Sequence, residues 1–239
     1  MAPRQPSLFE FRMGERSPGT LVVAEANREA VNLLTHWRAW PGGALALTGP
    51  SGAGKTHLAL AWALEASARE ISPLAASEDG AAVFAEGGGR VLIDDADGAR
   101  DDAMLWRLLD LARSEGGAVL LVGKRTPNLW ETGVPDLRSR LASLPVAALG
   151  EPDEALLEVV LRRLCRDRFI ELSEDAARYL SRRMPRTFAA AQTVAAVLDQ
   201  RLVQGTVSGA KPVALKAAKR ALGEAQKTWD AAWGEEAGQ

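Results

Sequence analysis

Eight residues carry the clearest chemistry in this chain: Gly49-Pro50-Ser51-Gly52-Ala53-Gly54-Lys55-Thr56. They meet the pattern G-x-x-x-x-G-K-[ST]. Glycines at these positions let successive backbone N–H groups turn toward an anion. Lys55 is placed to reach the outer phosphates of a nucleotide, and Thr56 to hold Mg²⁺. A second acidic signal lies further along, in Val91-Leu92-Ile93-Asp94-Asp95. An apolar strand ending in a carboxylate is what such a loop needs beside it. Asp94 would orient the metal ion through its water shell, and Asp95 could polarise an attacking water. The plain alternatives are a Gly-rich turn that binds nothing and a strand that ends in a polar turn.

These residues need elements to hold them. Gly43 to Thr48 reads as a short buried strand running into the loop, and His57 to Ala68 as a helix leaving it. The helix N-terminus adds partial positive charge where the phosphates would sit. Arg90 to Asp94 and Ala118 to Val122 read as further buried strands, with an amphipathic helix over Met104–Ser114 between them. Residues 25–38 carry helical spacing. Strands alternating with helices predict an α/β fold with a parallel sheet covered on both faces.

The pattern changes at Gly150-Glu151-Pro152. Beyond it every periodic segment is helical: Leu156, Leu157, Val160, Leu161 and Leu164 form one apolar face. Ser173 is placed to cap a second helix, with Glu174 and Asp175 in its first turn. A third helix is expected over residues 187–203 and a fourth over 213–222. The sequence therefore divides into an arm at 1–19, a nucleotide-binding α/β domain at 20–150, a small helical domain at 151–223 and a polar tail at 224–239. That tail holds Trp229 and Trp233 and is expected to fray.

Composition narrows the function classes. Of 239 residues, 47% are hydrophobic and 25% charged, as in ordinary globular domains, and the net charge of −2 gives no support to strong direct DNA binding. One cysteine, Cys165, and two histidines exclude an internal disulfide and argue against zinc. No apolar run is long enough for a transmembrane helix, and no signal core opens the chain, so a cytoplasmic protein without membrane contact is expected.

The phosphate loop, the Val-Leu-Ile-Asp-Asp strand and the all-helical region after them resemble the AAA+ class. Gly54-Lys55-Thr56-His57-Leu58, the Asp94-Asp95 pair, the start Leu21-Val22-Val23-Ala24-Glu25-Ala26-Asn27 and the segment Pro135-Asp136-Leu137-Arg138-Ser139-Arg140-Leu141 are similar to the bacterial replication initiator family DnaA. The resemblance spans about residues 20–222. It implies a AAA+ domain followed by a helical lid, with ADP or ATP and Mg²⁺ held by Gly49 to His57 and by Asp94. It also implies that Arg140 is an arginine finger acting on a neighbouring subunit, with Arg138 nearby. Arg186 would be a second nucleotide sensor in the lid, with Arg182 and Arg183 as close competitors.

Two departures refine the resemblance. The third strand ends in Val122-Gly123-Lys124-Arg125, where the family more usually has Asn, Ser or Asp; Lys124 argues for weak intrinsic hydrolysis. The chain has too few residues after the lid for the DNA-reading domain of the initiator. A lone initiator-like module resembles the Hda group, regulatory inactivators of DnaA. In that group an N-terminal peptide binds the DNA polymerase sliding clamp (beta subunit). Gln5-Pro6-Ser7-Leu8-Phe9 is similar to that peptide, with Gln5, Leu8 and Phe9 in the contacting places. The implied partners are the clamp and DnaA, and finger logic leaves a homo-oligomer open. An initiator-like adaptor that delivers a replicative helicase is the alternative.

Overall fold

The computed structural model describes residues 23–74, 79–203 and 212–236, with side chains to Asp230. The expected clamp-binding residues Gln5, Leu8 and Phe9 lie outside the described residues. The chain divides into two compact units at Gly150.

The first unit runs α1 (Arg28–Thr35), β1 (Ala44–Thr48), α2 (Lys55–Ala66), β2 (Arg69–Ile71), α3 (Gly80–Glu86), β3 (Arg90–Ile93), α4 (Asp102–Ser114), β4 (Ala118–Gly123), α5 (Pro135–Ser143) and β5 (Val146–Ala148). All five strands are parallel, in the order β2-β3-β4-β1-β5. The three strands read from sequence are the central ones, and every residue of β1 and β4 is buried. Such strands read as continuous apolar runs because helices cover both faces. β2 and β5 are three-residue edge strands: β2 carries Arg69 and Glu70, and β5, although apolar, exposes Val146 and Ala148.

Alternate strand residues feed two cores. Leu45, Leu47, Leu92, Leu120 and Val122 pack with α1 and α2, around Trp37, Trp40 and Trp62. Trp40 stacks on Trp62 at 5.3 Å between ring centroids, and Trp37 meets Trp62 edge-on at 6.5 Å. On the other face Val91, Ile93, Val119 and Leu121 pack with Leu105, Leu108 and Leu109 of α4 and with Leu137 and Leu141 of α5. Asp101 caps α4 by accepting from the N–H groups of Ala103 and Met104.

The second unit is helical: α6 (Glu154–Arg166), α7 (Glu174–Ser181), α8 (Phe188–Val203) and α9 (Leu215–Glu236). Ser173 caps α7, accepting from Ala176 N at 3.2 Å. The four helices share one core built on Leu157, Leu161, Leu180, Val194 and Leu198. The expected fraying from residue 224 is not seen; α9 continues to Glu236. Ala218, Ala221, Leu222, Ala225 and Trp229 are all buried, so the apolar stripe runs past the predicted boundary and packing carries the helix with it. Among the described residues no helix is long and apolar enough to cross a membrane.

Candidate nucleotide site

The phosphate loop connects β1 to α2. Gly49, Gly52 and Gly54 have φ of 151°, 78° and 87°, a conformation that L side chains rarely adopt. At Gly49 the need for glycine is also spatial, because a Cβ would lie 2.3 Å from the Leu149 carbonyl oxygen. That carbonyl belongs to the strand neighbour that pins the loop root, since Leu149 N donates to Thr48 O at 2.7 Å. Gly54 ends the loop in a left-handed turn, and α2 follows with no acidic residue in its first turn. The helix N-terminus therefore keeps its partial positive charge for an incoming anion. Pro50, Ser51 and Gly52 are exposed at the tip, Ala53 is buried beneath it, and His57 is exposed one residue beyond Thr56.

Lys55 is buried and its ammonium fills the loop. Nζ donates to Gly49 O at 2.8 Å and to Pro50 O at 2.9 Å. Burial pushes its pKa below the ordinary lysine value; the charge of Asp94 pulls it back up, that of Lys124 adds to the lowering, and Asp97 and Asp95 oppose it. The charges that reach Lys55 come from three acids and one base. They are Asp94 and Asp95, both expected from sequence, Asp97, and Lys124.

The fold brings Thr56 and Asp94 together. Thr56 Oγ1 donates to Asp94 Oδ2 at 2.7 Å, across 38 residues of sequence. A hydroxyl and a carboxylate oxygen converging at the foot of a phosphate loop are the hard oxygen donors Mg²⁺ uses, with phosphate and water completing its shell. The donor set fits that ion. Asp94 Oδ1 accepts from Asp95 N at 2.9 Å, which fixes the carboxylate plane. Asp95 is exposed and holds φ of 51°, so the chain turns out of the strand at this residue.

Sequence reasoning missed Asp97. Its Oδ2 accepts from the backbone N–H groups of Lys124 at 2.9 Å and Arg125 at 3.1 Å, and its carbonyl oxygen accepts from Arg125 Nη2 at 3.1 Å. A Cβ on Gly123 would stand 3.0 Å from that of Asp97, so the missing side chain gives Asp97 its approach. The loop after β3 is thus tied to the end of β4. The signal was a third acid close behind Asp94 and Asp95, but its partner lies 27 residues away.

The two arginines expected to act have these surroundings within their own units. Arg140, on α5, is half-buried: Nη2 donates to Asp110 Oδ1 at 2.7 Å, and the guanidinium lies 5.6 Å from the Trp106 ring centroid. Arg138 donates to Thr132 O at 2.9 Å. Arg186, in the second unit, is exposed in the connection between α7 and α8, 3.7 Å from Glu154. Arg182 reaches the same carboxylate at 3.4 Å.

A five-stranded parallel sheet with helices on both faces and a Gly-rich loop between β1 and α2 is an α/β P-loop fold. No family model matches the sequence, and no curated protein sequence matches it. Solved structures do. Domain III of the replication initiation protein DnaA from Thermotoga maritima is 20% identical, with a TM-score of 0.63 over 85% of this chain and 94% of that one. A Thermotoga maritima RuvB mutant is 17% identical, with a TM-score of 0.66 over 88% of this chain and 73% of that one. AMPPCP-bound DnaA from Aquifex aeolicus is 17% identical, with a TM-score of 0.59 over 79% of this chain and 65% of that one. At these identities the likeness is one of fold.

Proposed function

We propose that this protein binds ADP or ATP with Mg²⁺ and, docked on the DNA-loaded sliding clamp, stimulates ATP hydrolysis by DnaA, and so restrains replication initiation. The observation that carries the nucleotide part is the convergence of Lys55, Thr56 and Asp94 on one loop, with Thr56 and Asp94 2.7 Å apart. The AMPPCP bound by a DnaA structure of the same fold supports it. The loop and the first turn of α2 would take the inner phosphates. Thr56 and Asp94 would hold Mg²⁺, which neutralises charge between the outer phosphates when bound.

The regulatory part rests on Arg140, Lys124 and the N-terminal peptide. Arg140 would reach the γ-phosphate of ATP on DnaA and stabilise the charge that develops during its hydrolysis; such a residue is worth about 10³–10⁵ in kcat. An ammonium at Lys124 has three donors and no acceptor. It can hold an anion but cannot orient a water by accepting its proton, which favours a site that senses nucleotide over one that turns it over. Arg186 would couple the bound nucleotide to the helical unit, acting as a lid. Gln5, Leu8 and Phe9 would dock on the clamp, the two apolar side chains entering a pocket while Gln5 makes directed hydrogen bonds.

The deciding experiment measures hydrolysis of DnaA-bound ATP with and without this protein, clamp and DNA. Stimulation that needs all three components is expected, and Arg140→Ala removes it while clamp binding persists. Replacing Leu8 and Phe9 by Ala removes clamp binding. Stimulation that survives Arg140→Ala refutes the finger, and clamp binding that survives the double replacement refutes the docking peptide.

A further inference from the structure

Arg140 does not stand free. Its Nη2 donates to Asp110 Oδ1 at 2.7 Å, its Nη1 lies 3.5 Å from the Leu109 carbonyl oxygen, and its guanidinium sits beside Trp106. All three contacts come from α4. They are not what seats α5 on the domain. Leu137 and Leu141 do that, both essentially without solvent exposure in the core under the sheet. The guanidinium can therefore leave α4 without unseating the helix that carries it.

Asp110 has a second partner. While Oδ1 accepts from Arg140, Oδ2 faces Arg107 Nη1 at 4.0 Å, one turn back on the same helix. One carboxylate is shared by two guanidinium groups on opposite oxygens. Arg140 is 24% and Asp110 31% exposed, so water screens the pair. Pairs of this exposure are weak, whereas a nucleotide phosphate offers more charge and several oxygens to the same fork. A half-buried carboxylate abandoned by its only cation would carry a penalty, and Arg107 stands where it removes that penalty.

We infer that Asp110 is a positioning residue for Arg140: it holds the guanidinium retracted on α4, and Arg107 takes over the carboxylate when Arg140 leaves for a phosphate in trans. The inference rests on the finger reading of Arg140, and it assigns that finger a resting place and a release partner. A purely structural pair makes the opposite prediction, because weakening it would loosen α5 and lower activity.

The test is hydrolysis of DnaA-bound ATP on a DNA-loaded clamp, with this protein below saturation. Asp110→Asn removes the charge but keeps the shape, and should raise the stimulated rate about threefold, the scale of one screened ion pair. Asp110→Glu keeps the charge and should restore the wild-type rate. Arg107→Ala leaves Asp110 with Arg140 alone and should lower the rate about twofold. Arg140→Ala should abolish stimulation in both the wild-type and the Asp110→Asn background. Thermal unfolding of each variant monitors the fold; if Asp110→Asn does not fold, Arg107→Ala decides, a lowered rate supporting the latch and an unchanged or raised rate overturning it. An unchanged or lowered rate in folded Asp110→Asn, with Arg140→Ala still inactive, overturns the latch and leaves the finger standing. Full stimulation by Arg140→Ala overturns both.

Discussion

Replacing Lys55 by Met separates the cost of the loop from its use. The unliganded fold has a buried ammonium satisfied by Gly49 O and Pro50 O, yet its pKa lies below the ordinary value because burial outweighs the attraction of Asp94. The pKa in the fold is below that of the unfolded chain. Holding the charged form therefore weakens the unliganded fold at neutral pH, and that penalty fades as pH climbs from the folded pKa through 10.5. Lys55→Met removes it. The two carbonyl groups left behind are not deeply buried, since Gly49 is half-buried and Pro50 exposed, and water can replace the lost donors. Without nucleotide the variant should melt no lower than the wild type, and any advantage should shrink across the alkaline window. With nucleotide the order reverses. At a ligand concentration of about 100 Kd, binding stabilises the wild type by about 2.7 kcal/mol. A chain of this size moves by about 2–4 °C per kcal/mol, so the wild-type shift should be about 5–11 °C. Lys55→Met should show almost none. Thermal melts with ADP–Mg²⁺ and ATP–Mg²⁺, and without ligand at pH 7 to 10, check both halves. A full ligand shift in the variant would refute the role of Lys55. A fall of its unliganded melting point by more than about 4 °C would refute the electrostatic reasoning.

Three other outcomes follow from single contacts. Thr56→Val and Asp94→Asn should each weaken nucleotide binding about tenfold in Mg²⁺, with a much smaller effect in excess chelator; titration calorimetry under the two conditions distinguishes metal binding from loop damage. Gly49→Ala should destabilise the first unit by about 1–3 kcal/mol, because the new Cβ meets the Leu149 carbonyl at 2.3 Å and the left-handed φ is disfavoured; a denaturant midpoint equal to wild type would contradict it. Cys165, whose thiol is pushed up to about 12 by burial against the opposing pull of Arg168, should resist an aqueous thiol reagent at pH 8 until the helical unit opens. Its folded pKa exceeds the unfolded one, so the associated stability is complete below about pH 9 and is lost as pH rises toward 12. Labelling as fast as that of a free thiol in the folded protein would disprove this.

The parts of the molecule that were legible in sequence are those whose signal is local. β1, β3 and β4 announce themselves as apolar runs because both their faces are buried, and the loop residues from Gly49 to Thr56 form a pattern within eight positions. Asp94 is legible because it ends such a run. β2 and β5 were not: Arg69 and Glu70 leave β2 a single apolar position, and β5 is a three-residue strand directly behind Pro145. Asp97 and Asp110 were illegible for a different reason. Their meaning lies in partners 27 and 30 residues away, and nothing in their own neighbourhood separates them from solvated surface acids. α9 shows the reverse error: Trp229 stands out in a tail that is polar on average, but its spacing with Ala225, which continues the buried stripe of the same helix, does not.

Lys124 is where sequence and structure have to be combined. By sequence it is a departure from the resemblance, and a departure can mean a damaged site. The structure separates scaffold from chemistry at this residue. The ladder pairs Thr48 with Gly123, so Lys124 leaves β4 beside the root of the phosphate loop. Its backbone N–H is held by Asp97, and so is that of Arg125, whichever side chain position 124 carries. β4 lies between the strand that feeds the loop and the strand that ends in Asp94, so a side chain at 124 starts from the gap between that loop and Asp94. A damaged site would have lost that framing. What has changed is the group framed: an ammonium whose charge reaches Lys55 and opposes it. If the loop takes a phosphate, as proposed, that anion would offset the like charges of Lys55 and Lys124.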